Sequence, residues 1–159
     1  MRRKPGKRKR KPAVRVQYGA LPYRFTPDAA LEILVVTTRQ TRRWIIPKGW
    51  PIKGLRPPKA AAREAFEEAG VTGRIGVRAV GSFTYDKALD EAGRLATCEV
   101  TVFPLLVKSQ SDAWPEIEQR VTQWVEPSKA AAMVKDLELK AVIAAFAKRV
   151  AAAASRLAF

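Results

Sequence analysis

The chain alternates and clusters its apolar positions in a way that separates strands from helices. Residues 14–18 alternate, residues 31–36 form a β-branched apolar run, and residues 43–46 follow a polar turn at 38–41, so three strands are predicted there. Two further strand regions are predicted at 74–85 and 96–107, joined by a polar hairpin connection at 86–94, and Gln123, Trp124 and Val125 add a short one. Between the early and late strands, the segment from Pro47 to Gly54 holds two prolines and two glycines, hence a shaped loop, and leads through Pro57 and Pro58 into an alanine-rich helix at 59–69. Gly70 is placed to end that helix in the left-handed conformation. A short helix at 127–134 and a longer one at 137–154 close the chain, the latter with an apolar stripe of Leu139, Val142, Ile143, Phe146 and Val150 suited to packing on a sheet. The pattern predicts an α/β (α+β) fold: a mixed sheet with three helices.

Charge divides the chain differently. Among the first eleven residues stand eight of the thirty Lys and Arg, with no acid and no apolar run, so residues 1–12 read as a disordered basic tail and 13–159 as one folded domain. Removing those eight charges from the net +15 leaves +7, a field that attracts polyanions such as nucleotides, inositol phosphates or nucleic acid. No apolar stretch is long enough for a membrane span, and no apolar core follows the basic start as in a secretory leader, so a cytoplasmic protein without membrane contact is expected. The single Cys98 has no partner for an internal disulfide and is expected in the core. Histidine is absent, which removes serine triads, histidine-activated cysteines and imidazole-bound zinc.

Carboxylates are left to do the chemistry. On the helix at 59–69, Glu64, Glu67 and Glu68 fall within an arc of about 100°, while Ala61, Ala62, Ala65, Phe66 and Ala69 fall on the opposite, packing side. Glu64 repels Glu67 and Glu68 at spacings of three and four, which favours a bound cation; a hard ion such as Mg²⁺ or Mn²⁺ suits an oxygen-only donor set. Arg63 stands one turn before Glu67 and is placed to pair with it and orient its carboxylate. An acidic helix face alone is usually solvated surface; the spacing around this one changes the reading.

The segment from Gly49 to Val71 resembles the Nudix box, GX5EX7REUXEEXGU with U a bulky apolar residue. Gly49, Arg63, Glu64, Glu67, Glu68, Gly70 and Val71 match in register, Ala65 is a small stand-in at an apolar position, and Leu55 replaces the first glutamate. The resemblance implies a Nudix-type α/β/α sandwich with a mixed β-sheet and metal-dependent hydrolysis of a phosphoanhydride bond. It implies Glu64, Glu67 and Glu68 as metal ligands, one of them also a candidate base, with the Gly49 carbonyl as a further ligand; a further acid outside the box falls to Glu116 or Glu118. Lys48, Arg43 and Lys53 are the expected phosphate donors, with Arg24, Arg42 and Arg56 close in sequence but read as surface. The wording Pro47-Lys-Gly-Trp-Pro and Trp124-Val-Glu-Pro looks most like bacterial Nudix proteins grouped with the diphosphoinositol polyphosphate phosphohydrolases. A nucleoside diphosphate derivative, a dinucleoside polyphosphate and a diphosphoinositol polyphosphate all remain open as substrates. A protein that binds RNA or processes its 5′ end through the basic tail, with the box as a weak or inactive scaffold, is the alternative.

Overall fold

The computed structural model describes residues 14–88 and 93–157. The basic tail of residues 1–12 lies outside the described residues, as do residues 89–92 of the connection expected at 86–94. Eleven elements follow in order: β1 (Val14–Phe25), β2 (Leu31–Thr37), β3 (Trp44–Ile45), β4 (Lys48–Gly49), α1 (Pro57–Ala69), β5 (Val71–Ile75), β6 (Gly81–Ala88), β7 (Leu95–Gln110), β8 (Thr122–Val125), α2 (Pro127–Met133) and α3 (Leu137–Leu157).

Two long strands form the middle of a mixed sheet. β1 and β7 run parallel from Val14 opposite Thr97 to Tyr23 opposite Leu106. Each shares its other edge between shorter antiparallel partners: β4 and β2 on β1, β6 and β5 on β7. The strand predicted only for residues 14–18 continues to Phe25, and its alternation is lost because residues 19–22 are buried on both faces of the sheet. The single strand expected at 74–85 is instead two: β5 ends at Ile75, β6 begins at Gly81, and Gly76 and Val80 donate to Pro104 and Val102 of the same neighbour. Both segments are strand-like locally, so only their separate registers on β7 reveal the break.

Helices cover both faces, giving an α/β/α sandwich. α1 packs on β1, β4, β5 and β7, whereas α3 lies on β6 and α2 on β2. Leu139, Val142, Ile143 and Phe146 of α3 are buried as the stripe predicted, with Phe146 edge-on to Tyr23 at 4.9 Å between ring centroids. Cys98 is free and buried. Among the described residues, no helix is long and apolar enough to cross a membrane.

α1 starts on Pro57 and Pro58, whose missing N–H groups are lost where the first turn leaves donors unpaired anyway. It ends at Gly70, with φ +70°, whose N–H reaches the Phe66 carbonyl at 2.8 Å. A side chain at Gly70 would also collide with the Trp114 ring, so both backbone conformation and packing exclude one. The next carbonyls are capped from elsewhere: Ala69 by Gln110 Nε2 at 3.0 Å, Gly70 by Ser111 N–H at 2.9 Å and Glu67 by Glu116 N–H at 3.0 Å. These bonds fasten the 111–121 loop to the end of the carboxylate helix.

Candidate active site

The packing face of α1 is turned from the one the helical spacing predicted. Ala60, Ala61, Ala65, Ala69 and also Glu68 are buried, while Ala62 and Phe66 are only half-buried. Glu68 is 3% exposed and so does not share an open acidic face with Glu64 and Glu67. A buried carboxylate requires partners, and it has two: the Lys48 backbone N–H donates to Oε2 at 2.8 Å, and Arg120 Nη2 lies 3.0 Å from Oε1. The same Arg120 nitrogen donates to Glu116 Oε1 at 3.0 Å, and its Nη1 donates to the Thr37 carbonyl at 3.0 Å. The loop that caps α1 therefore also delivers Glu116 and Arg120 to its carboxylates.

Glu64 occupies space that only a glycine leaves open, because a Cβ on Gly49 would fall on its carboxyl group. Burial first, then the neighbouring Glu67 and Glu116 charges, raise Glu64 to about 7 despite Arg120 and Lys48. Glu68 is raised to about 8 by burial, against the opposing pull of Arg120 and the Lys48 hydrogen bond. Glu67 and Glu116 thus act on Glu64, and Glu64 on Glu68, while Arg120 and Lys48 stand among them and Arg39 lies 3.8 Å from Glu116. The donor set is all oxygen, and each Glu68 oxygen keeps a lone pair beyond its present hydrogen bond, so its chemistry fits a hard divalent cation. Among the described residues, no three such side chains are gathered at ligand distance in this arrangement.

Lys48 forms the opposite wall. Its Nζ donates to the Tyr85 hydroxyl at 2.9 Å and sits 4.4 Å from the centroid of that ring, and Tyr85 in turn donates to Gln17 Oε1. Burial is the main cause of the fall in Lys48's pKa to about 8, with the Glu68 charge opposing it and Lys87 adding to it. The two open grooves elsewhere, of about 490 and 370 Å³, are lined from α2 and α3 and from the loop after β5, away from these groups.

Residues 19–146 match the NUDIX domain family. The chain belongs to the Nudix family. It is 32% identical to Nudix hydrolase 21, chloroplastic, of Arabidopsis thaliana over 82% of its own length and 65% of that protein's. It is 39% identical to diphosphoinositol polyphosphate phosphohydrolase 3-beta of Bos taurus over 46% of its length and 43% of that protein's. The chain spans about two thirds of the length of the plant relatives, 65% of one and 63% of another. In fold it is similar to the C. elegans Ap4A hydrolase (TM-score 0.62, 19% identity, covering 87% of this chain and 99% of that one). It is also similar to the NUDIX domain of Shewanella oneidensis NrtR complexed with ADP ribose (TM-score 0.64, 16% identity, covering 87% and 89%).

On this Nudix fold, the residues singled out in the sequence separate into two groups. Glu64, Glu67, Glu68, Gly49 and Lys48 converge through α1, β4 and their contacts, and Glu116 joins them whereas Glu118 is exposed. Arg43 is half-buried and close enough for its charge to act on Tyr85, while Lys53 is exposed. The expected pair between Arg63 and Glu67 is not formed among the described residues; Arg63 is exposed on α1. Arg24 is committed elsewhere, 2.9 Å from Glu32 and stacked 4.0 Å from the Trp124 ring centroid. Sequence reasoning missed Arg120, Tyr85 and Gln17. Gln17 shares the polar positions of the 14–18 alternation with Arg15, so the local pattern carries no sign that it is buried.

Proposed function

We propose that this Nudix protein hydrolyses a phosphoanhydride bond in an anionic substrate of the nucleoside diphosphate derivative, dinucleoside polyphosphate or diphosphoinositol polyphosphate kind, with Mg²⁺ or Mn²⁺. The observation that carries the reading is the gathering of carboxylates around α1: Glu67 and Glu116 lie close enough to act on Glu64, and Glu64 on Glu68, with Arg120 and Lys48 between them and Arg39 at the outer side of Glu116. The divalent ion, when bound, supplies an activated water and neutralises charge on the phosphate oxygens. Glu64, Glu67 and Glu68, with the Gly49 carbonyl, would hold it. Arg120 keeps Glu68 aimed and limits the charge left when the ion departs. Lys48 offers its ammonium to a phosphate oxygen, and Arg43 and Lys53 extend the basic side. Glu116, displaced from α1 but tied to Arg120, is the candidate to accept a proton from water. A cytoplasmic setting accords with the one free, buried cysteine. The RNA reading rests on the basic tail, outside the described residues.

The test is turnover of a panel of diphosphoinositol phosphates, dinucleoside polyphosphates, nucleotide sugars and 5′-triphosphate RNA with Mg²⁺ or Mn²⁺, set beside Glu67→Gln. That substitution spares the buried ion pair of Arg120 with Glu68, so the fold is retained. Product release by the native chain and a loss of at least about 100-fold in the variant are expected. Equal turnover in both would end the proposal.

A further inference from the structure

Next to the inner pair of Lys48 and Tyr85 stands a second pair of the same type, reversed. Lys87 Nζ lies 5.3 Å from the ring centroid of Trp50. Both pairs join the same two segments, for Lys48 and Trp50 are two apart on the loop that opens at β4, and Tyr85 and Lys87 are two apart on one face of β6. The inner pair is half-buried and fixed by Gln17; the outer pair is at the rim, with Trp50 38% exposed. Trp44, Trp114 and Trp124 are all less exposed, so Trp50 is the tryptophan that presents an accessible indole. That indole stands one residue after Gly49, whose backbone abuts the Glu64 carboxyl group, and two after Lys48, whose N–H holds Glu68.

Lys48 Nζ lies 4.4 Å from the Tyr85 ring centroid and Lys87 Nζ 5.3 Å from that of Trp50, so the same two segments carry both ammonium groups. A polyphosphate running between them meets both charges, and a flat aromatic group at its outer end would find the Trp50 face. We propose that Trp50 and Lys87 form an outer subsite that stacks the base of a nucleoside polyphosphate on the indole and holds the adjoining phosphate on the ammonium. This rests on the pyrophosphate-hydrolase reading above and narrows its substrates to those that carry a base; a polyphosphorylated ring polyol has no planar face to offer the indole. In the free protein Lys87 covers the ring, and a base that takes the ring face frees Lys87 for phosphate.

The experiment is isothermal titration of the full chain with diadenosine tetraphosphate and with inorganic tripolyphosphate, each with Mg²⁺, for the native protein, Trp50→Ala and Trp50→Phe, with product assayed in parallel. The native chain is expected to prefer the base-bearing ligand. Trp50→Ala should reduce that preference by about tenfold or more, and Trp50→Phe should keep most of it, because a base stacks on either aromatic ring but not on a methyl group. A preference unchanged in Trp50→Ala, or no preference in the native chain, overturns the subsite. Turnover of diadenosine tetraphosphate alongside an unchanged preference would sink the subsite and leave the hydrolase standing. A base-dependent affinity lost in Trp50→Ala, without any product, would do the reverse.

Discussion

Arg120 Nη2 lies 3.0 Å from Glu68 Oε1, with side-chain exposures of only 11% and 4%, so a loop residue and a helix residue form a buried ion pair at the centre of the site. The pair explains how a carboxylate can be buried on the packing side of α1. Removing one partner of such a pair leaves the other charge buried and unmatched.

Arg120→Met should therefore destabilise the metal-free protein by about 3 kcal/mol. Urea denaturation measures this. Added Mg²⁺ should restore more stability to the variant than to the native protein, because the ion would replace the missing positive charge beside Glu68; equal gains would show that Glu68 is not reached by the metal.

Gly70→Ala places a Cβ at φ +70° and against the Trp114 ring. The left-handed backbone and the overpacking together should cost at least about 2 kcal/mol. Because Gly70 also holds Ser111, the loss should appear as faster amide exchange across the 111–121 loop as well as a lower midpoint.

Gly49→Ala acts on Glu64, not on the core. The added methyl meets the flexible end of the Glu64 side chain, which can swing aside. Stability should change by less than about 1 kcal/mol, while turnover of whichever substrate the panel identifies falls by at least about tenfold, a loss of about 1.4 kcal/mol of transition-state stabilisation. A large drop in stability with full activity would contradict the placement of Glu64.

Acid should stabilise the metal-free protein. Folding raises Glu64 from 4.5 to about 7 and Glu68 from 4.5 to about 8, so between those values the native state binds more protons than the unfolded one. The stabilisation from protonation is fully present below about 4.5 and is lost as pH rises through about 7 to 8. Thermal midpoints in chelator should fall across that window; with Mg²⁺ present the fall should flatten, since a bound cation favours the charged carboxylates. A chelated protein with no slope would mean that the two carboxyls are paired or solvated more fully than their burial implies.

Much of this was legible in one dimension. Alternating and β-branched runs marked most strands, the Leu139, Val142, Ile143 and Phe146 stripe marked α3, and the spacing from Gly49 to Val71 pointed to the family and its carboxylates. Those signals are local, because side-chain periodicity and glycine's backbone freedom act within a few residues.

The sequence by itself determined that α1 carries Glu64, Glu67 and Glu68 and ends at Gly70. Which of those carboxylates is buried depended on the rotation of α1 against β1 and β5, and alanines on both sides of the helix made that rotation ambiguous. Arg120 resembled any basic loop residue until the 111–121 loop was fastened to the end of α1, and Tyr85 resembled any strand aromatic until β6 took its register on β7. Only the tertiary structure decided these, because a charge's partner and the depth of its burial are properties of segments that meet in space, and no local pattern encodes which ones do.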